Sequence, residues 1–158
     1  MPPESPYPRR PLRLKNRAQS LEPFYFVTLN TFKRASLLGN DGFHRGFLDF
    51  CNKAMAFNVA VGRYAIMPDH MHLFVRMPPE GMTLSRWIGS LKSVLGRNLL
   101  AAGHSRPHWQ EGFFDHLMRS SESYGEKWRY VQQNPVRARL CANPEDWPFQ
   151  GEIVPLRF

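Results

Sequence analysis

The sequence predicts an α+β domain, with one antiparallel sheet built in the order β-α-β-β-α-β and a further helix behind it. Three observations lead there. Residues 68–77, PDHMHLFVRM, alternate with a period of two, so His70, His72, Phe74 and Arg76 share one face and Met71, Leu73, Val75 and Met77 the other. Two longer stretches, about 43–57 and 83–101, repeat large apolar residues at helical spacing. The other apolar runs are short and bounded by Pro, Gly, Asn or Asp, as strands are.

Taken in order, residues 1–20 form a basic arm in which Arg9, Arg10, Arg13, Lys15 and Arg17 lie among prolines without periodicity. PFYFVTLN (23–30) is a first strand, largely apolar on both faces and therefore central. Asp41 or Gly42 opens a helix near 43–57, with Phe43, Phe47, Phe50, Cys51 and Ala54 as its core stripe. Residues 58–67 are a second strand, joined through Pro68-Asp69 to the histidine strand as an antiparallel hairpin. Thr83 or Ser85 caps the next helix, whose buried stripe is Leu84, Trp87, Ile88, Leu91, Leu95 and Leu99 and whose basic complement is Arg86, Lys92 and Arg97. A fourth strand lies near 113–119. The capping box Ser123-x-x-Glu126 opens a helix over 123–134 that Pro135 stops. A tail with Trp147 and Phe149 follows, ending in a short strand or hook. The first six elements match the ferredoxin-like arrangement, in which the first and third strands are central. The extra helix can then fold over the free sheet face and meet His70 and His72.

With 158 residues, the chain is one domain with room for a core: an arm over 1–20, a folded unit over 21–150 and a tail over 151–158. A hydrophobic content of 42% makes it globular rather than disordered. The net charge of +8 favours a polyanionic partner, most simply nucleic acid. Cys51 and Cys141 have neither zinc spacing nor a disulfide framework. No apolar run reaches membrane-spanning length and no signal-peptide pattern opens the chain, which predicts a cytoplasmic protein, nucleoid-associated if its polyanionic partner is DNA.

Two imidazoles two residues apart on a strand are separated by roughly 6.6–7 Å of rise. They can turn toward one divalent ion, given a third ligand from elsewhere; an incidental structural pair is the alternative. On the last helix, Tyr124, Trp128 and Val131 form the buried stripe. Tyr130 falls on the flank, about 120° away, with Glu126 one turn back and Asn134 one turn on. A flank tyrosine has no packing duty that Phe or Leu could not meet, so its hydroxyl is the distinctive part; an amphipathic surface tyrosine is the competing reading. Together the parts suit phosphodiester cleavage through a covalent intermediate, with metal polarising the phosphate and the phenol attacking phosphorus. A free phenol titrates near pH 10, so the site has to help it lose its proton.

PDHMHLFV resembles an HUH motif (histidine, bulky apolar, histidine), and GFFDHLMRSSESYGEKWRYVQQNPVRARL resembles the C-terminal half of the REP-associated tyrosine transposases, relatives of the IS200-like single-tyrosine transposases. The likeness covers about residues 22–149 and includes the strand YFVTLN. The resemblance implies that His70 and His72 bind a divalent metal, Mg²⁺ or Mn²⁺, that Asn134 is a third ligand, and that Tyr130 is the nucleophile. It also implies single-stranded DNA with hairpin-forming palindromic repeats as the substrate and a monomer or homodimer as the working unit. Arg139 departs from the pattern, standing where the family often has Gly. By charge alone, Arg9, Arg10, Lys92, Arg97, Arg137 and Arg139 are candidates for DNA contact. Three other readings compete: a domesticated hairpin-binding protein with little or no catalysis, an RNA-binding module stacking bases on Phe24, Phe26 and Phe74, and a metal hydrolase using water alone.

Overall fold

The structure, a computed structural model, describes residues 22–157. The basic arm, with Arg9 and Arg10, lies outside them. A five-stranded sheet comprises β1 (Phe24–Asn30), β2 (Ala60–Ile66), β3 (His70–Arg76), β4 (Phe114–Leu117) and β5 (Gln150–Glu152). The spatial order is β4-β1-β3-β2-β5, with every neighbouring pair antiparallel. The first and third strands are central, as the element order predicts.

Alternation in β3 decides how the layers stack. Met71, Leu73, Val75 and Met77 enter the main core with Val27 and Leu29 of β1, under the helices α1 (Asp41–Ala54) and α2 (Leu84–Ala101). Phe74 points the other way, into a second cluster with Phe24, Met118, Tyr124 and Leu156. That cluster is roofed by α3 (Ser121–Gln132), through Tyr124 and Trp128. The Tyr124 ring stands 4.7 Å from the Phe74 ring in an edge contact, and Phe74 is fully buried. Emptying such a site costs about 3–5 kcal/mol, so Phe74 anchors α3 beside the histidines.

Local chemistry sets the helix starts. Asn40 caps α1 by accepting from the Phe43 backbone, one or two residues ahead of the expected opening, and residues 55–57 form a 3-10 turn rather than the helix end. Thr83 caps α2 through the Arg86 amide. For α3 the expected capping box at Ser123 is incorrect. Ser120 has the extended backbone of a cap and accepts from the Ser123 amide at 3.1 Å, which places Ser123 inside the first turn. Pro135 does not end helical structure either: it is buried in the first turn of a short helix, α4 (Asn134–Arg137).

The boundary expected at 150 falls inside β5. Residues beyond it belong to the sheet layer: the Ile153 and Val154 amides donate to the Gly62 and Val61 carbonyls, and Leu156 closes the second cluster. Leu156 reaches the sheet at Gly62, where β2 shifts register against β3; a Cβ on Gly62 would stand 2.7 Å from Leu156 Cδ1. Among the described residues, no helix is long and apolar enough to cross a membrane.

Candidate active site on the sheet face beneath α3

The pairing of β1 with β3 sets Thr28 opposite His72 and Asn30 opposite His70. Directly opposed side chains share a face, and each histidine finds a partner nearby. Thr28 Oγ1 lies 2.8 Å from His72 Nδ1. His70 Nδ1 lies 2.8 Å from Asp69 Oδ1, on the turn that leads into β3. His70, donating Nδ1–H to the Asp69 carboxylate, keeps Nε2 as the ligating nitrogen, and the Nδ1–H tautomer of His72, which the Thr28 hydroxyl can accept, would do the same there, the arrangement that outer partners impose at histidine metal sites. The two rings stand edge to face with centroids 4.9 Å apart, and His72 stacks on Phe26 at 5.3 Å.

Burial and then neighbouring positive charge, from His70, Lys127, Arg137 and Arg34, push the His72 imidazole down to about 3. His70 is also lowered, by burial first; Asp69 opposes that shift and Arg34 adds to it. Both rings are therefore neutral near pH 7, the form that binds metal. Burial works against the charge of Asp69, but hydrogen bonds and charge from His70 and Arg34 hold it below the usual carboxylate range.

Arg34 joins the site from the turn after β1. Its Nε bonds Asp69 Oδ2 at 3.0 Å, its Nη1 bonds Asn30 Oδ1 at 2.7 Å, and its Nη2 stands 3.4 Å from His70 Nδ1. Lys33 and Arg34 both have left-handed backbones, with φ of +51° and +56°. Such a conformation costs about 1–2 kcal/mol per non-glycine residue. The Arg34–Asp69 pair is partly exposed, 52% and 31%, so it contributes at most about 1 kcal/mol in return. Asp69 and Thr28 had a sequence signal, adjacency to His70 and alternation in a central strand; Arg34 had none.

Tyr130 is 64% exposed on the flank of α3. Gln133, between α3 and α4, keeps right-handed dihedrals (φ −80°, ψ −9°), so Asn134 still follows Tyr130 by about one turn. Arg137 ties these two together. Its guanidinium carbon lies 4.3 Å from the Tyr130 ring centre, and Nη2 donates to the Tyr130 carbonyl at 2.9 Å and to the Asn134 amide oxygen. Lys127, one turn earlier on α3, lies over the Phe26 ring at 5.2 Å. Lys127 and Arg137 both act on His72, so the end of α3 sets a cationic rim beside the histidine face, and Arg137 in that rim touches Tyr130 and Asn134.

The other charge candidates lie elsewhere. Lys92 and Arg97 are on α2, across the sheet from the histidines. The Lys92 ammonium donates to the Gln110 carbonyl at 3.0 Å and to that of Gly112, pinning the loop before β4 rather than facing outward as a free cation. Arg139 follows α4 with φ of +59°. His108 is buried and bonds the His104 carbonyl, a structural role; His116 is exposed on β4 opposite Phe26. No group of three His, Cys, Asp or Glu able to hold a metal occurs among the described residues, so the histidine pair needs an amide, water or substrate oxygen to complete it.

Comparison with known proteins identifies the family and the fold. The family model described as "Transposase IS200 like" matches residues 25–134, which run from β1 to the start of α4. The chain belongs to the IS200-like transposase family. This is a family of DNA-processing enzymes, and the matched span holds both histidines, Tyr130 and Asn134. Among its relatives is the REP-associated tyrosine transposase of Escherichia coli K12, 26% identical over 90 residues, covering 56% of this chain and 52% of that protein. The chain thus spans about half the length of that curated relative. An uncharacterized protein of Haemophilus influenzae is 24% identical over an alignment of 163 positions, covering 81% of this chain and 88% of its own. The solved REP-associated tyrosine transposase bound to a REP hairpin shares the fold: TM-score 0.63, 20% identity, covering 90% of this chain and 94% of that one.

Proposed function

We propose that this IS200-like transposase is a divalent-metal-dependent endonuclease and strand transferase for single-stranded DNA, with Tyr130 as its nucleophile and hairpin-forming repeats as its targets. The observation that carries the reading is the paired commitment of His70 Nδ1 to Asp69 and His72 Nδ1 to Thr28, on the sheet face roofed by the tyrosine helix. Two neutral imidazoles and the Asn134 amide oxygen make a donor set suited to Mn²⁺ and harder to reconcile with Mg²⁺. Bound there, the ion would draw charge from a phosphate oxygen and make phosphorus more electrophilic.

The chain's own groups do the rest. Lys127, Arg137 and Arg34 form a cationic rim that attracts the phosphodiester. The Tyr130 oxygen bonds to phosphorus as the bond from phosphorus to the 3′ oxygen breaks. The phenolic proton leaves, and the departing 3′ oxygen takes one up to become a hydroxyl. A 5′-phosphotyrosine remains, and its reversal by another 3′-hydroxyl joins two strands. The hairpin as target rests on the relative solved with a REP hairpin; Arg137, Arg139 and the arm residues Arg9 and Arg10 are the proposed backbone contacts, while Arg97 lies on the other side of the sheet. Working as a monomer or homodimer in the nucleoid is part of the same reading.

The test is a denaturing gel with end-labelled hairpin-containing single-stranded DNA and Mn²⁺, comparing the intact chain with Tyr130→Phe. A protein-linked 5′ fragment that disappears in the variant is the expected result. Cleavage that survives in Tyr130→Phe would replace the tyrosine mechanism with a water-using one.

A further inference from the structure

The turn that follows β1 wraps around the turn that opens β3. The Thr31 amide donates to the Asp69 carbonyl at 3.0 Å, its hydroxyl lies between the Ala35 and Asp69 carbonyls at 2.8 and 3.0 Å, and the Leu37 and Leu38 amides donate to the Pro68 carbonyl at 2.9 Å. Within this wrap lie the two left-handed residues, Lys33 and Arg34. A partly exposed ion pair does not repay that backbone cost, and strain that the surroundings enforce is a pointer to function. What the conformation achieves is placement. The Arg34 fork spans Asn30 on β1 and Asp69 beside β3, and holds the carboxylate with Oδ1 left for His70 Nδ1.

We propose that Arg34 is a positioning residue: it locks the Asp69 carboxylate onto His70, so that His70 offers Nε2 to a divalent ion in a fixed orientation. The proposal rests on the metal reading above and extends it to a residue outside the histidine motif. Without the fork, Asp69 has two equivalent oxygens and a partly exposed side chain free to rotate. His70 then loses the partner that fixes its tautomer and ring plane. Removal of such outer partners typically weakens metal binding by about 10–100-fold.

The sign of the effect separates this role from plain electrostatics. Arg34 places positive charge near both histidines. If charge were all it contributed, removing it would tighten the binding of a cation. If it positions Asp69, removing it loosens that binding.

The experiment is calorimetric titration of the full chain with Mn²⁺, without DNA, for wild type, Arg34→Gly, Arg34→Asn, Asp69→Asn, the Arg34→Gly/Asp69→Asn double variant and His72→Ala. Glycine and asparagine both tolerate left-handed backbone, so melting temperatures equal to or above wild type will show that the fold is intact. The expected result is a loss of about tenfold or more in Mn²⁺ affinity for both Arg34 variants. In the Asp69→Asn background, Arg34→Gly should add less than about twofold, because residues acting through one contact are not additive. Unchanged or tighter Mn²⁺ binding in the Arg34 variants overturns the proposal, as does an undiminished loss in the Asp69→Asn background. A wild type whose Mn²⁺ binding is absent or indifferent to His72→Ala overturns the metal site itself, and the proposal with it.

Discussion

Arg137 lies over the Tyr130 ring, with its guanidinium carbon 4.3 Å from the ring centre, while the same group bonds the Tyr130 carbonyl and the Asn134 side chain. One cation thereby holds the end of α3, the proposed nucleophile and the proposed third ligand as a unit. It also complements the negative end of the helix, where carbonyls lack intrahelical partners.

Replacing Arg137 by Gln removes that cation while keeping hydrogen-bonding capacity. Because an exposed cation–π contact contributes about 0.5–1 kcal/mol, the fold should survive. DNA binding should weaken without change in sequence preference, and the slope of log K against log salt should shallow by about one. Fluorescence anisotropy with a labelled hairpin at several salt concentrations measures both. An unaltered slope would mean that Arg137 serves only to brace the helix end.

The end of α4 is closed by the Leu140 amide on the Pro135 carbonyl and the Arg139 amide on the Val136 carbonyl, at 2.9 and 3.0 Å. This is the two-bond Schellman closure, and Arg139 occupies its left-handed position with φ of +59°. Glycine fits there without a Cβ penalty, which gives a physical basis to the Gly of the family pattern. Arg139→Gly should stabilise the domain by about 1 kcal/mol and raise Tm by about 2–4 °C. A lower Tm in a thermal melt would show that the arginine side chain contributes more than its backbone costs.

His44, His70 and His72 all have lowered imidazole pKa values, with burial as the leading cause, and His72 falls to about 3. The unfolded chain, with histidines near 6.5, therefore takes up protons that the folded chain refuses. Stability is then fully present above about pH 6.5 and is lost as pH falls, His72 contributing to the slope down to about 3. Urea unfolding of the metal-free protein at pH 7.5, 6 and 5 should show this decline. His72→Gln should flatten it by up to about 1.4 kcal/mol per pH unit. An equal slope in both proteins would mean that His72 is protonated in the fold.

Much of this was legible because alternation is a strong code. The period of two in residues 70–77 assigned each side chain its face, and both faces are occupied as that period requires. The order of elements placed β1 and β3 at the centre and α3 over the open side. Other features depend on which of several similar groups wins a contact. Ser120, Ser121 and Ser123 all offer a hydroxyl for one cap, and the backbone at Ser120 decides it. Lys92 has the same charge whether it meets phosphate or the carbonyls of Gln110 and Gly112. The short strand or hook expected in the tail is β5, but three residues, Gln150–Glu152, are too few to announce its pairing with β2. The Arg34–Asp69 contact joins residues 35 apart through a backbone conformation that no arginine advertises.

The β1–β3 ladder pairs Thr28 with His72 and Asn30 with His70, and the same ladder sets Leu29 opposite Met71 in the core beneath. A slip of one residue would turn both rows over at once, so the apolar row acts as the ruler against which the polar row is aligned. Residues in the polar row can then be exchanged with little effect on the alignment of that row. The orientation of the histidine row is therefore held by apolar side chains on the opposite face of the sheet.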